Sequence, residues 1–212
     1  MASIQSSNIG QFLQSVGQGV KPNMFQVEFE FPGQLQGELN PYKDITNLLC
    51  KSAALPGSAL GTIEVPFRAR TVKIAGDRTF DSWNPTFIVD KTMDTRAAME
   101  TWMENINGHA GNTAKLLQPN TSEGYTTEIL VHQLEKGAES AGSSAKKIRT
   151  YKLWYAFPTS VSTIDLAYDS NDQIEEFSVE FQYSYWTTVA GTASTLQVND
   201  DTSTSDGGTP AA

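Results

Sequence analysis

Very few residues in this chain carry the side chains from which active sites are built. Histidine occurs only at positions 109 and 132, and cysteine only at position 50. Neither His109 nor His132 has a partner at metal-ligand spacing. His109 falls in a polar stretch behind a helical segment and His132 inside a strand, so both read as surface or packing residues. Cys50 lies in the apolar run NLLCKSAALP. Standing alone it can close no internal disulfide, which suits a cytoplasmic chain, and it reads as a small buried hydrophobe. The segment DLAYDSNDQIEE, residues 165–176, gathers carboxylates. Asp169, Asn171 and Asp172 would offer oxygens to calcium, but the glycine of a calcium-binding loop is missing and no second helix follows. Asx-type turns before the last strand are the better account. Glu175 and Glu176 are adjacent on a strand, face opposite ways and cannot converge on one glycosidic bond. Ala75-Gly76-Asp77-Arg78 has a single glycine and reads as a tight turn in which Arg78 pairs with Asp77 or Asp81. No nucleophile elbow, phosphate loop or dinucleotide fingerprint is present. The residues point to a protein that is not an enzyme, with no catalytic residue, no cofactor and no metal site.

The pattern that positions these residues is mainly β. Residues 23–31, NMFQVEFEF, alternate cleanly, with Phe25, Val27, Phe29 and Phe31 on one face and Gln26, Glu28 and Glu30 on the other. Pro32-Gly33 ends this strand, and a polar loop is expected to about Asp44. An apolar run follows over 45–56. Residues 60–74 read as one long strand bent at Pro66, which must sit at an edge, bulge or corner. Residues 79–90 read as another strand, interrupted by Pro85. A helix is expected from Asp94, a good N-cap, to Asn107, with Gly108 as its stop. Its Met99, Trp102, Met103 and Ile106 form a packing stripe, and Arg96 can pair with Glu100 four residues on. Strands follow over 125–135 and 146–155, joined by a flexible hairpin tip, and a last strand runs over 174–186. The expected fold class is a two-sheet β-sandwich or partly open barrel of about seven strands with one flanking α-helix. Its domain spans 23–187. Residues 1–22 form an N-terminal arm with an amphipathic piece from Ile9 to Val16, and 188–212 a flexible C-terminal tail.

The chain has 212 residues and a formal net charge of −9. Duplex DNA is gripped by basic patches that release counterions, so this balance argues against stable DNA binding. It does not argue against DNA passing by. No apolar run is long enough to span a bilayer, and the first residues do not read as a secretory signal, so no membrane insertion is expected.

Four segments, in order, resemble the major tail tube protein of contractile-tailed bacteriophages: KPNMFQVEFEF (21–31), LLCKSAALPG (48–57), VKIAGDRTFDSW (72–83) and IDLAYDSNDQIEEFSVEFQYSYW (164–186). The motif AGDRTFDSW and the aromatic finish ending in Tyr185-Trp186 are the most specific parts. The likeness covers about residues 20–187. The 33–44 segment is longer than the family's first turn, and the tail lies beyond its pattern. The resemblance implies a virion structural protein: homohexameric rings stacked into a hollow tube, in partnership with a tail sheath protein and with baseplate and tail terminator proteins, built in the bacterial host cytoplasm and used for DNA ejection. It implies four strands per copy in a continuous inner barrel, assigned to 45–55, 60–75, 125–135 and 146–155, with the first, fourth and last strands and the helix outside. Six such sets, at about 4.8 Å per strand and a tilt of roughly 40°, give a backbone diameter of about 48 Å, wide enough for a duplex.

On that reading the lining carries more acid than base, with Glu64 and Glu128 as lumen candidates. Lys147, Arg149 and Lys152 must then find acids across strands or between subunits. Glu100 and Glu104 are sheath-contact candidates, and Phe12, Leu13 and Val16 inter-ring candidates. Two alternatives remain open. One is the tube of a phage-like secretion or pyocin-type injection system. The other is a monomeric carbohydrate-binding β-sandwich using Trp83, Trp154, Tyr155 and Trp186.

Overall fold

A computed structural model of the chain describes residues 9–17, 19–116, 119, 124–135, 146–169, 171 and 173–189. The expected hairpin tip at 136–145, Asp172 and the tail from 190 onward lie outside the described residues. The amphipathic piece near the start is helix α1 (Ile9–Val16). The alternating segment becomes strand β1 (Phe25–Phe29), with Val27 and Phe29 buried.

The next stretch differs from expectation. The polar loop to Asp44 and the apolar run after it are a 3-10 turn (Gly33–Leu35), helix α2 (Gln36–Leu48) and only then a short strand, β2 (Cys50–Ser52). The helical signal is Leu35, Leu39, Tyr42 and Thr46, spaced by four, three and four residues. Leu35, Leu39 and Thr46 are buried, and Tyr42 packs on the core. Pro41 sits inside the helix and forgoes one helical hydrogen bond. The side-chain oxygen of Asn47 accepts the Phe29 N–H at 2.8 Å, so α2 ties down the outer edge of β1.

The long strand expected over 60–74 is a hairpin of β3 (Ala59–Phe67) and β4 (Arg70–Thr79). Its two-residue turn, Arg68-Ala69, has both φ angles positive, at 45° and 61°. That is the turn a twisted hairpin requires, made here without the glycine or asparagine that would announce it. Pro66 pairs with Thr71 in a ribbon whose outer edges are free, where proline is tolerated. Ala75–Arg78 is strand, not turn, and Arg78 donates to the Ser58 hydroxyl at 3.0 Å instead of pairing with Asp77 or Asp81. The 79–90 strand contracts to β5 (Thr86–Ile88), plus a single bridge from Trp83 to Phe181.

Helix α3 (Asp94–Ile106) lies where the pattern put it, with Met99 and Trp102 fully buried. Its start is held by Asp90, however, not Asp94. The Asp90 carboxylate accepts the N–H groups of Asp94 and Thr95, each at 3.2 Å, and the Thr92 hydroxyl at 2.6 Å. Strands β6 (Thr127–Leu134), β7 (Lys147–Val161), β8 (Glu176–Gln182) and β9 (Tyr185–Val189) complete the fold. The single last strand expected over 174–186 is therefore two, broken at Tyr183-Ser184.

Among the described residues, seven strands form one curled sheet in the order β1-β6-β7-β8-β5-β2, with β9 also on β7, while β3 and β4 pair only with each other. The first half of β7 pairs with β6 and β9, and its second half with β8. The two halves face each other as a sandwich. Phe29 from one half meets Phe87 and Phe181 from the other, each ring 5.6 Å away, and Trp83 at 5.9 Å. Trp102 of α3 closes the open end against Phe31 and Phe181, and its indole N–H donates to the Tyr125 carbonyl at 2.9 Å.

Partial burial works to raise the Asp90 pKa, but the hydrogen bonds from Thr92 and from the Thr95 and Asp94 N–H groups outweigh it and bring it to about 2. A depressed carboxylate stabilises the fold above its unfolded value near 3.8, and that contribution is lost as pH falls towards 2. Asp90→Ala should lower unfolding free energy at pH 7 by about 1 kcal/mol, as loss of a helix cap does. Urea denaturation should place the difference between the two proteins at its smallest near pH 2, where the native carboxyl becomes protonated.

Candidate functional site

The chemistry-bearing residues do not converge. Among the described residues, no group of three His, Cys, Asp or Glu side chains is arranged to hold a metal. His109 is exposed and leans on Glu104, whose pKa is held down by the His109 N–H and ring. The Asn171 N–H donates to the Asp169 main-chain carbonyl at 3.0 Å, a backbone contact and not a side-chain one. Burial pushes the Cys50 thiol up to about 12, far from a reactive thiolate. Trp83 is a core residue, donating to the Ala54 carbonyl at 2.6 Å, and is closed to any sugar. Trp154 stacks on Tyr185, and Trp186 packs edge-on against Tyr151.

His132 is more informative. It is buried on β6, between Glu28 of β1 and Lys147 of β7. The Lys147 ammonium reaches His132 Nε2 at 3.1 Å and Glu28 Oε1 at 3.0 Å. His132 Nε2 lies 3.1 Å from both the Lys147 ammonium, which donates, and the Glu28 carboxylate, which accepts, so the ring tautomer sets its role, and Nδ1 lies 2.8 Å from the Thr150 hydroxyl. Five residues further along β7, Lys152 pairs with Glu128 of β6 at 2.6 Å and lies 3.6 Å from the Trp154 ring centre. Lys147 and Lys152, the cations that had to find acids, thus find them across strands of their own chain. Arg149 instead lies over the Tyr151 ring.

The remaining candidates sit on exposed elements. Glu64 lies on the β3–β4 hairpin, 3.5 Å from Lys73. Glu100 accepts from Arg96 at 2.7 Å on the outward side of α3. Phe12, Leu13 and Val16 are all exposed on α1, together with Ile9. The hairpin leaves Leu60, Ile63, Val65, Phe67, Val72 and Ile74 exposed, and the Ile63–Ile74 and Val65–Val72 pairs share one face of the ribbon with Phe67. What the molecule presents is a closed, self-sufficient core and unpaired strand edges and apolar surface outside it. Exposed apolar patches of this kind mark surfaces for association.

The family model described as phage tail tube protein matches residues 20–189. The chain belongs to the phage tail tube protein family. It is 33% identical over 170 residues to tail tube protein gp19 of Enterobacteria phage T4, covering 80% of this chain and 92% of that protein. Identity to the gp19 of Enterobacteria phage T6 is 32% over the same length. Among solved structures, the fold is shared with the cap of the anti-feeding prophage, at a TM-score of 0.54 and 16% identity over 90% of this chain and all of that one. A component of that prophage's baseplate gives a TM-score of 0.53 at 11% identity, covering 79% of this chain and 93% of that one. As a tail tube protein of a contractile phage, the chain is a structural component of the virion. No helix among the described residues is long and apolar enough to cross a membrane.

The His132 cluster makes a pH prediction for this tail tube protein. Burial lowers the histidine pKa against the pull of Glu28. Burial also works to raise Glu28, but its hydrogen bonds to Lys147 and His132 leave it lowered. A lowered histidine favours the folded state above its unfolded value of 6.5, and stability drains away as pH falls below that point. Glu28 adds its own loss only below about 4.5. Chemical denaturation of the soluble chain between pH 8 and 5 should therefore show a decline that His132→Gln flattens.

Proposed function

We propose that this tail tube protein forms homohexameric rings that stack into the hollow inner tube of the tail, through which DNA leaves the virion. The β3–β4 hairpin carries the reading. A two-stranded ribbon with an exposed apolar face, and no further strand on either edge among the described residues, is unstable alone, and joining with other copies would cover its face and edges. The barrel strands implied by resemblance need one revision, since 45–48 is the end of α2. The hairpin supplies β3 and β4, and β6 and β7 are the remaining candidates. A six-fold symmetrised baseplate is the source of one solved neighbour, which accords with six copies per ring.

Glu64 and Glu128 are proposed to face the bore. Each stands beside a lysine of its own chain, Lys73 and Lys152. A lining of neutralised pairs would neither hold a polyanion by counterion release nor strongly repel it, so DNA would pass without stable binding. Glu100 and Glu104 on α3 are proposed to meet the tail sheath protein. Exposed charges of that kind give register with little affinity, as a sliding partner needs. The ends of the tube would meet baseplate and tail terminator proteins, and assembly would take place in the host cytoplasm. Residues 1–22 act as an arm whose Phe12, Leu13 and Val16 pack on the adjoining ring, and the tube domain runs from residue 23 past 187 to the end of β9 at Val189, so 188 and 189 belong to it and not to a tail.

Negative-stain images of the concentrated chain should show hollow rods with six-fold end views. Deleting residues 2–20 should leave a folded monomer that makes none. Solid rods, or monomers at every concentration of the intact chain, would refute the tube, whereas rods of ordinary length from the truncated chain would refute only the role of the arm.

A further inference from the structure

The exposed surface holds a second orphan besides the hairpin. The stretch between β7 and β8 frames an open groove of about 720 Å³. Leu166, Tyr168 and Ile174 stand almost wholly exposed along it. Asp165 and Glu175 line it as well, and neither has a cationic partner among the described residues. The end of the hairpin has the opposite character. Its sequence from Val65 reads VPFRAR, with Val65 and Phe67 exposed and, among the described residues, no carboxylate paired with Arg68 or Arg70. The Arg68 guanidinium lies 5.4 Å from the centre of the Phe67 ring, so the cation and the apolar surface form one unit. The turn, with Arg68 and Ala69 at positive φ, follows Phe67 directly and keeps that unit at the extreme end of the ribbon.

We propose that the hairpin tip of one copy seats in the 163–176 groove of another, Phe67 against Leu166 and Ile174, with Arg68 and Arg70 meeting Asp165 and Glu175. This rests on the tube reading above and specifies how copies recognise each other. The chain's net charge of −9 makes copies repel at a distance, so association depends on local opposite charge. The two patches lie on different parts of the chain, which makes the contact head-to-tail. A head-to-tail contact propagates into rings or helical stacks, where a self-complementary one would stop at a dimer.

Charge exchange tests the contact. Arg68→Glu with Arg70→Glu should raise the concentration needed for rod formation by about tenfold or more, and so should Asp165→Arg with Glu175→Arg. The four changes together should restore assembly to near the unsubstituted level. All four positions are outside the core, and melting curves check that each variant folds. As an independent readout, Phe67→Cys with Ile174→Cys in a Cys50→Ser background should give disulfide-linked ladders when rods are oxidised. Charge-reversed variants that assemble normally, a quadruple variant that does not recover, or rods without cross-links would each overturn the contact. Groove variants that assemble normally but lose binding to another tail protein would also overturn it and assign the groove to that partner. Failure of the unsubstituted chain to make rods would instead refute the tube reading itself.

Discussion

The fold depends on one strand belonging to two layers. β7 runs from Lys147 to Val161, longer than the separation of two packed sheets requires, so it can lie in one layer and then the other. The crossing point is Tyr155, whose φ of 56° is left-handed and strained for a tyrosine. There the register with β6 slips, and β8 gives way to β9 on the other edge. The Ser184 N–H donates to the Trp154 carbonyl at 3.0 Å, so the break in the partner strand is pinned to the bend in β7. Because of this bend, Phe29 can face Phe181 across a core and need not stand beside it on a flat sheet. The strain is offset by the aromatic burial that the bend makes possible.

What was legible in the sequence follows from whether a local pattern had one physical meaning. β1 and α3 were clear because Val27 and Phe29, or Met99 and Trp102, can be buried together at only one period. α2 was hidden because Pro41 reads as a loop residue, although the Leu35, Leu39, Tyr42 and Thr46 spacing was present throughout. The hairpin was read as one strand because Arg68-Ala69 makes a mirror-image turn without the residues that normally favour it. The Asp90 cap was missed because the left-handed Met93 moves the capping carboxylate four residues ahead of the helix. The break between β8 and β9 had no sequence mark, since it is imposed by Tyr155 on the opposite strand. For the candidate site, chemical type was legible and pairing was not. The need for Lys147 and Lys152 to find acids followed from placing their strand in the lining that the family resemblance implies. That Glu28 and Glu128 supply them follows from the β1-β6-β7 strand order, which no short pattern contains.

Charge is distributed unevenly over these layers. The pairs Glu28–Lys147 and Glu128–Lys152 hold the β6–β7 surface near local neutrality, while the acid excess of the chain falls elsewhere, including the 163–176 stretch. A net charge of −9 is therefore a poor guide to any one surface. The same number that argues against gripping DNA is compatible with a bore of matched pairs and an outer wall rich in carboxylate. Lys152 illustrates the economy of the arrangement: one ammonium answers Glu128 and also covers the face of Trp154.

Folding and association use separate parts of the chain. The buried cluster draws on β1, α2, β5, α3 and β6–β8, and no residue of α1 or of the β3–β4 hairpin belongs to it. The large exposed apolar residues fall mainly on those two elements and on the 163–176 stretch. On the tube reading proposed above, a copy waiting for a growing tube end needs this separation. If its contact surfaces were part of the core, an unassembled copy would be partly unfolded and prone to aggregate. If they were rigid and already complementary, copies would join without a template. Here the core closes without a partner, and the apolar surface lies on short or two-stranded elements that are marginal until something packs on them. A neighbour that orders those elements lowers the ordering cost of the next contact. That makes addition at an existing end more favourable than formation of a new one.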